Sequence, residues 1–154
     1  MSTDQTSETT STSSEHTLEL GEHIGRKLRG GEVIELLSDL GGGKTTFVQG
    51  LAKGMGSEDT VHSPSFTLGN EYHAGKLTLH HFDFYRLTTA GIMTQELAEI
   101  LTDPNAVIVV EWANIVEHVL PAQRLTIHLD TVSETDRKLR FEYPAELGYL
   151  VDEL

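Results

Sequence analysis

The sequence predicts an α/β fold: a central mixed sheet containing one antiparallel hairpin, with flanking helices making three layers. Three observations carry this expectation. The apolar run VIELL is followed by the glycine-rich SDLGGGKT and then by a helical pattern, giving the order strand, loop, helix. AVIVV at 106–110 is a continuous apolar run of the kind found in strands buried on both faces. The segments FTLGNEY and KLTLHHFDF, on either side of His73-Ala74-Gly75, alternate as the arms of an antiparallel hairpin do.

Each element follows in order along the chain. Residues 1–14, MSTDQTSETTSTSS, hold almost nothing that could bury surface and offset the cost of ordering, so a disordered tail is expected there. From Thr17, Leu20, Ile24 and Leu28 recur at helical spacing, and Gly30-Gly31 supplies a left-handed stop. A strand over 33–37 leads to a helix over 45–55 with Phe47, Val48, Leu51 and Met55 on one face. After the hairpin, TQELAEIL at 94–101 reads as helix and Asp103-Pro104-Asn105 breaks the chain before the AVIVV strand. RLTIHLD and RKLRFEY read as two further strands, and AELGYLVDEL is long enough for a closing helix.

A length of 154 residues suits one domain with one sizeable core, taken as 15–154. The net charge of −13 repels phosphate backbones and anionic lipid, which argues against autonomous nucleic-acid binding and against membrane attachment. With no cysteine there is neither a disulfide nor a thiolate metal site, and the chain fits a reducing cytoplasm. No run is long and apolar enough to span a bilayer. The surplus of acid also suggests a high-salt interior, where a carboxylated surface holds water and cations.

The chemistry concentrates in Ser38-Asp39-Leu40-Gly41-Gly42-Gly43-Lys44-Thr45. In a G-x-x-x-x-G-K-[ST] loop, successive backbone N–H groups cradle phosphate oxygens, the lysine reaches the outer phosphates and the hydroxyl serves magnesium. Here the terminal GKT matches and lies at a helix N-terminus, whose dipole favours an anion, while Ser38 stands in place of the first glycine. A glycine-rich turn without ligand is the plainer alternative. The predicted nucleotide-binding stretch is Asp39, Leu40, Gly41, Gly42, Gly43, Lys44, Thr45 and Thr46, and the expected fold is a P-loop NTPase-like one.

Hydrolysis needs a carboxylate for magnesium and a group to orient water. Glu111 closes the AVIVV strand and Asp83 closes the hairpin's second arm, both at the carboxyl edge where open α/β sheets place ligand groups. Both are taken as site residues, with Thr45 completing the magnesium set. Trp112 either stacks near the nucleotide or caps the core. Ser63 and Ser65, in a rigid turn after the P-loop helix, are candidates for a switch that senses the outer phosphate and its magnesium. His80 and His81 point to opposite faces of a strand, cannot easily share one metal, and read as structural.

Taken together, SDLGGGKTTFVQGLAKGMG, VHSPSFTLGNEY, LHHFDFYRL and VIVVEW, in this order in so short a chain, resemble the TsaE family over roughly residues 17–130. The resemblance implies an ATPase that supports TsaD and TsaB in placing a threonylcarbamoyl group on N6 of adenosine 37 of tRNA, with ATP and Mg2+ as its cofactors. It also implies that Lys44 and Thr45 serve phosphates and magnesium, that Glu111 serves magnesium or water, and that Asp83 is a second acidic site residue. Ser65 stands where the family's SPTF has threonine, and Trp112 matches its EW pair.

Other classes remain in play. A small-molecule P-loop kinase needs a lid or an arginine cluster to clamp a second substrate, and the arginines are scattered. A GTPase lacks its N-K-x-D-type segment. A non-catalytic module whose nucleotide gates recruitment of a partner would show little turnover alone.

Overall fold

The structure is a computed structural model that describes residues 4–38, 43–61, 69–85, 87, 91 and 93–154. Among these residues seven strands form one mixed sheet: β1 (Gln5–Ser11), β2 (Val33–Ser38), β3 (Gly69–Ala74), β4 (Leu77–Asp83), β5 (Ala106–Glu111), β6 (Leu125–Thr131) and β7 (Arg137–Tyr143), in the order β1-β7-β6-β2-β5-β4-β3. The centre, β6-β2-β5-β4, is parallel, and the pairs β1-β7, β6-β7 and β3-β4 are antiparallel. Among the described residues the α-helices are α1 (Ser14–Gly25), α2 (Lys44–Met55) and α3 (Met93–Ile100), and 3₁₀ turns follow β5 at Ala113–Val119 and β7 at Ala145–Leu150. No helix among the described residues is long and apolar enough to cross a membrane.

Strand alternation divides the core in two. Ile34, Leu36, Val107 and Val109 face Leu20, Ile24, Phe47, Val48 and Leu51 of α1 and α2. Val33, Ile108 and Val110 face Met93 and Leu97 of α3 and Val116 of the 3₁₀ turn. A strand that buries both faces reads as an unbroken apolar run, which is why AVIVV was legible.

Helices α1 and α2 meet through glycine. A Cβ on Gly50 would lie closer than 3.0 Å to the Leu18 carbonyl oxygen, and one on Gly21 equally close to that of Phe47. Gly25 and Gly54 repeat the arrangement one turn on, against Leu51 and Glu22. These four positions lack side chains so that two backbones can touch.

Three expectations are corrected. The tail expected over residues 1–14 is, from Gln5 to Ser11, an edge strand in register with Tyr143 to Arg137. Backbone ladder bonds hold it and need no apolar side chain, so composition conceals it. Its buried end is tied to the first helix: Ser11 Oγ lies 2.6 Å from Thr17 Oγ1, and Ser13 Oγ accepts the His16 amide at the N-cap. The closing helix over 145–154 is only the 3₁₀ turn Ala145–Leu150, for Pro144 opens it and Glu153 sits at φ 67°, which no α-helix continues. Tyr149 anchors this turn by donating its hydroxyl to Glu32 at 2.7 Å. The stop expected at Gly30-Gly31 is also corrected: α1 ends at Gly25 with Arg26 in the right-handed region at its C-cap, and Gly30 and Gly31, at φ 109° and 90°, instead turn the chain toward β2.

Candidate functional site

Strand β2 runs with ordinary negative φ through Ser38, since the only positive-φ residues other than glycine among those described are Trp112 and Glu153. Serine therefore ends the strand without a strained β-carbon. Asp39, Leu40, Gly41 and Gly42 lie outside the described residues, as do Ser63 and Ser65. The chain re-enters at Gly43, in the left-handed region at φ 96°, which glycine adopts without penalty and which caps α2. Lys44, Thr45 and Thr46 make the first turn of that helix, where unpaired N–H groups and the dipole favour an anion.

Lys44 does not extend into solvent. Its Nζ lies 3.1 Å from Glu111 Oε1 and 5.6 Å from the centre of the Trp112 ring. Glu111 is the last residue of β5 and is buried. Its second oxygen, Oε2, accepts from Nε2 of His81, which is fully buried in β4. Burial pushes the Glu111 carboxyl up, but the His81 hydrogen bond and the His81 and Lys44 charges outweigh it and hold the group below the ordinary carboxylate value.

Asp83 is the register partner of Glu111 across β4-β5, so both acids stand at one edge of the sheet. Its Oδ1 accepts the Tyr85 amide at 3.0 Å, closing a local turn. The Tyr85 ring lies 4.9 Å from that of Trp112, and both are exposed. Trp112 thus does not cap the core. It holds φ 57°, ψ 53°, a left-handed conformation costly for a bulky aromatic, and this turns the chain sharply just after Glu111.

The described residues line clefts beside this edge. One of about 290 Å³ is lined by Ser38, Lys44, Trp112 and Asn114. Another, about 180 Å³, is lined by Ser13, Thr17, Gly43, Thr46, Thr135 and Arg137. Among the described residues no group of three or more His, Cys, Asp or Glu is arranged to hold a metal ion. Magnesium differs in what it asks for: one or two carboxylates, with waters and phosphate oxygens filling the other positions.

The structure therefore brings Lys44 and Glu111 into contact and sets Asp83 one strand away. Sequence reasoning missed His81. The available signal was its spacing: two residues before Asp83 on a strand, it must share that residue's face. His80, on the opposite face, stacks on Phe82 and lies 3.7 Å from Glu71, and burial lowers its pKa.

Comparison with known proteins adds the family. Residues 11–139 match the family model TsaE, described as threonylcarbamoyl adenosine biosynthesis protein TsaE. Similar proteins named tRNA threonylcarbamoyladenosine biosynthesis protein TsaE include that of Treponema pallidum (strain Nichols), 38% identical over 84% of this chain and 95% of its own length. Another is that of Aquifex aeolicus (strain VF5), 37% identical over 83% and 90%. The crystal structure of Bacillus subtilis YdiB superposes with a TM-score of 0.78 at 29% identity, covering 97% of this chain and 94% of that one.

Proposed function

Because the chain belongs to the TsaE family, we propose that it binds and hydrolyses ATP in support of forming the threonylcarbamoyl group on N6 of adenosine 37 in tRNA. The observation that carries this reading is the Lys44–Glu111 pair, which joins the lysine of a P-loop sequence to the acidic end of a buried central strand. The names of the relatives supply the pathway.

The residues present fit a magnesium nucleotide. The first turn of α2 offers N–H donors, Lys44 a charge for the outer phosphates, and Thr45, Glu111 and Asp83 oxygen ligands of the hard type magnesium prefers. Magnesium, when bound, supplies positive charge that offsets charge developing on the phosphate oxygens. Lys44 is held at this edge by Glu111, so its approach to phosphate is an exchange of one anionic partner for another. That exchange leaves Glu111 free on one oxygen to act toward metal or water. Trp112 and Tyr85 shelter the same edge.

With a net charge of −13, the chain is poorly suited to hold tRNA itself. The tRNA is therefore assigned to partners of the TsaD and TsaB type, in the cytoplasm, and turnover alone is slow. The test is ATP hydrolysis measured with and without TsaD and TsaB from the same source. A low basal rate that the partners raise is expected, and absence of ATP binding by calorimetry overturns the reading. A second reading, a nucleotide-gated interaction module, is favoured by the exposed Tyr85–Trp112 pair beside Lys44. Partner binding that needs ATP but survives loss of hydrolysis would select it.

A further inference from the structure

We infer that His81 is a positioning residue for Glu111: its Nε2–H holds one carboxylate oxygen in place while Lys44 leaves the other for a phosphate. The inference rests on the nucleotide reading above and names a role for a residue outside the motif. The geometry begins with register. His81 and Asp83 share a face of β4, Asp83 lies opposite Glu111 on β5, and His81 lies opposite Val109. From one step back in the sheet, the His81 ring reaches forward to Oε2 of Glu111.

Both Glu111 oxygens are thereby engaged by different elements, Oε1 by the N-terminal residue of α2 and Oε2 by the middle of β4. The two partners differ in permanence. Lys44 is the residue expected to move to a phosphate, whereas His81 is fully buried in a central strand and has nowhere to go. Once Lys44 has moved, the histidine is the contact that keeps the carboxylate from turning about its last torsion. A carboxylate accepts only, so Nε2 is the donor.

The other ring nitrogen strengthens the case. Nδ1 is buried and has no hydrogen-bond partner among the described residues. A buried histidine serving only to fill space would incur that desolvation for nothing, and a leucine or phenylalanine would fill the same volume without it. Among the described residues, the polarity of this ring is directed at Glu111 alone.

Two substitutions separate reach from polarity. His81→Gln can place an amide N–H near the position of Nε2, while His81→Asn stops short of Glu111. The asparagine variant should lose about 10- to 100-fold in kcat, the range for losing a partner that orients a ligand, with KM for ATP little changed, and the glutamine variant should recover most of the loss. Equal rates in the two variants, or a loss confined to KM, would overturn the inference. A measurement on the wild type needs neither variant. Long-range 1H–15N correlation of the imidazole should show the proton on Nε2 in the nucleotide-free protein and keep it there when ATP is added without magnesium. A proton on Nδ1 alone, or loss of the Nε2 proton with ATP, overturns it as well. Should the wild type not bind ATP, the nucleotide reading fails and takes this inference with it; a wild type that turns over ATP while both variants match it defeats the inference alone.

Discussion

The α1–α2 contact and the carboxyl edge of the sheet engage two parts of one helix, α2, by opposite means. Along its flank, Gly50 and Gly54 let the backbone of α1 approach until carbonyl oxygens occupy the space of side chains. At its first residue, Lys44 is placed between a carboxylate and an indole. The flank is specified by atoms that are missing and the tip by charges that are present. The flank should therefore be damaged by adding a single methyl group that the tip would tolerate, and the tip by removing a charge that the flank would never notice.

The largest effect is expected at the tip. Lys44→Ala should abolish measurable ATP binding by calorimetry, because the charge that offsets phosphate repulsion in a strongly acidic chain is gone. Unchanged affinity would break the P-loop reading. On the proposed function, Glu111→Gln should keep nucleotide but lower turnover by about 100-fold or more, as the amide preserves shape while losing the charge proposed to hold magnesium or align water. Wild-type turnover in that variant would move the role to Asp83.

At the flank, Gly50→Ala should lower stability by about 1–2 kcal/mol, since an overpacking cost of about 2–3 kcal/mol at the Leu18 carbonyl exceeds the ~1 kcal/mol that alanine gains in helix propensity. Urea unfolding measures this, and ATP affinity per folded molecule should not change. An equal or higher urea midpoint would show that the helices can part without cost, dissolving the contrast between the two regions.

A smaller effect links the regions through pH. The Glu111 carboxyl is held below its ordinary value of 4.5 in the folded state. Its contribution to stability is thus complete above that value and is lost as pH falls through the lower, folded one. The difference in urea midpoint between wild type and Glu111→Gln should be constant from neutral pH down to about 5 and shrink below 4.5. A difference that grows on acidification would contradict the ion pair. Smallest of all, Ser38→Gly should cost up to ~1 kcal/mol, through a looser unfolded chain, and leave ATP affinity unchanged, because Ser38 already has strand geometry. Tighter ATP binding would show that its β-carbon crowds the phosphate path.

Legibility in the sequence followed the same division. Burial on both faces writes itself as AVIVV, and alternation as the two hairpin arms, so β2, β4 and β5 and the residues at their ends could be placed without coordinates. Lys44 and Glu111 were found because each ends or begins an element. Strand β1 was not found, because ladder bonds between backbones leave no mark on a run of Ser, Thr and Glu. Nor was the role of His81, since its importance depends on which strand lies beside β4 and in what register, a fact held by residues 25 to 30 positions away. The left-handed turn at Trp112 was equally hidden, because bulky aromatics seldom adopt it.

The glycine contact also bears on genetics. When a core side chain is enlarged, a neighbour can often shrink to make room, and a suppressor arises at the facing position. Here a new methyl at Gly50 would meet the carbonyl oxygen of Leu18, an atom every amino acid brings to that position. No exchange of residue 18 removes it. A screen for revertants of Gly50→Ala should therefore return the original glycine, or changes that raise stability elsewhere in the chain, and none at the facing residue 18.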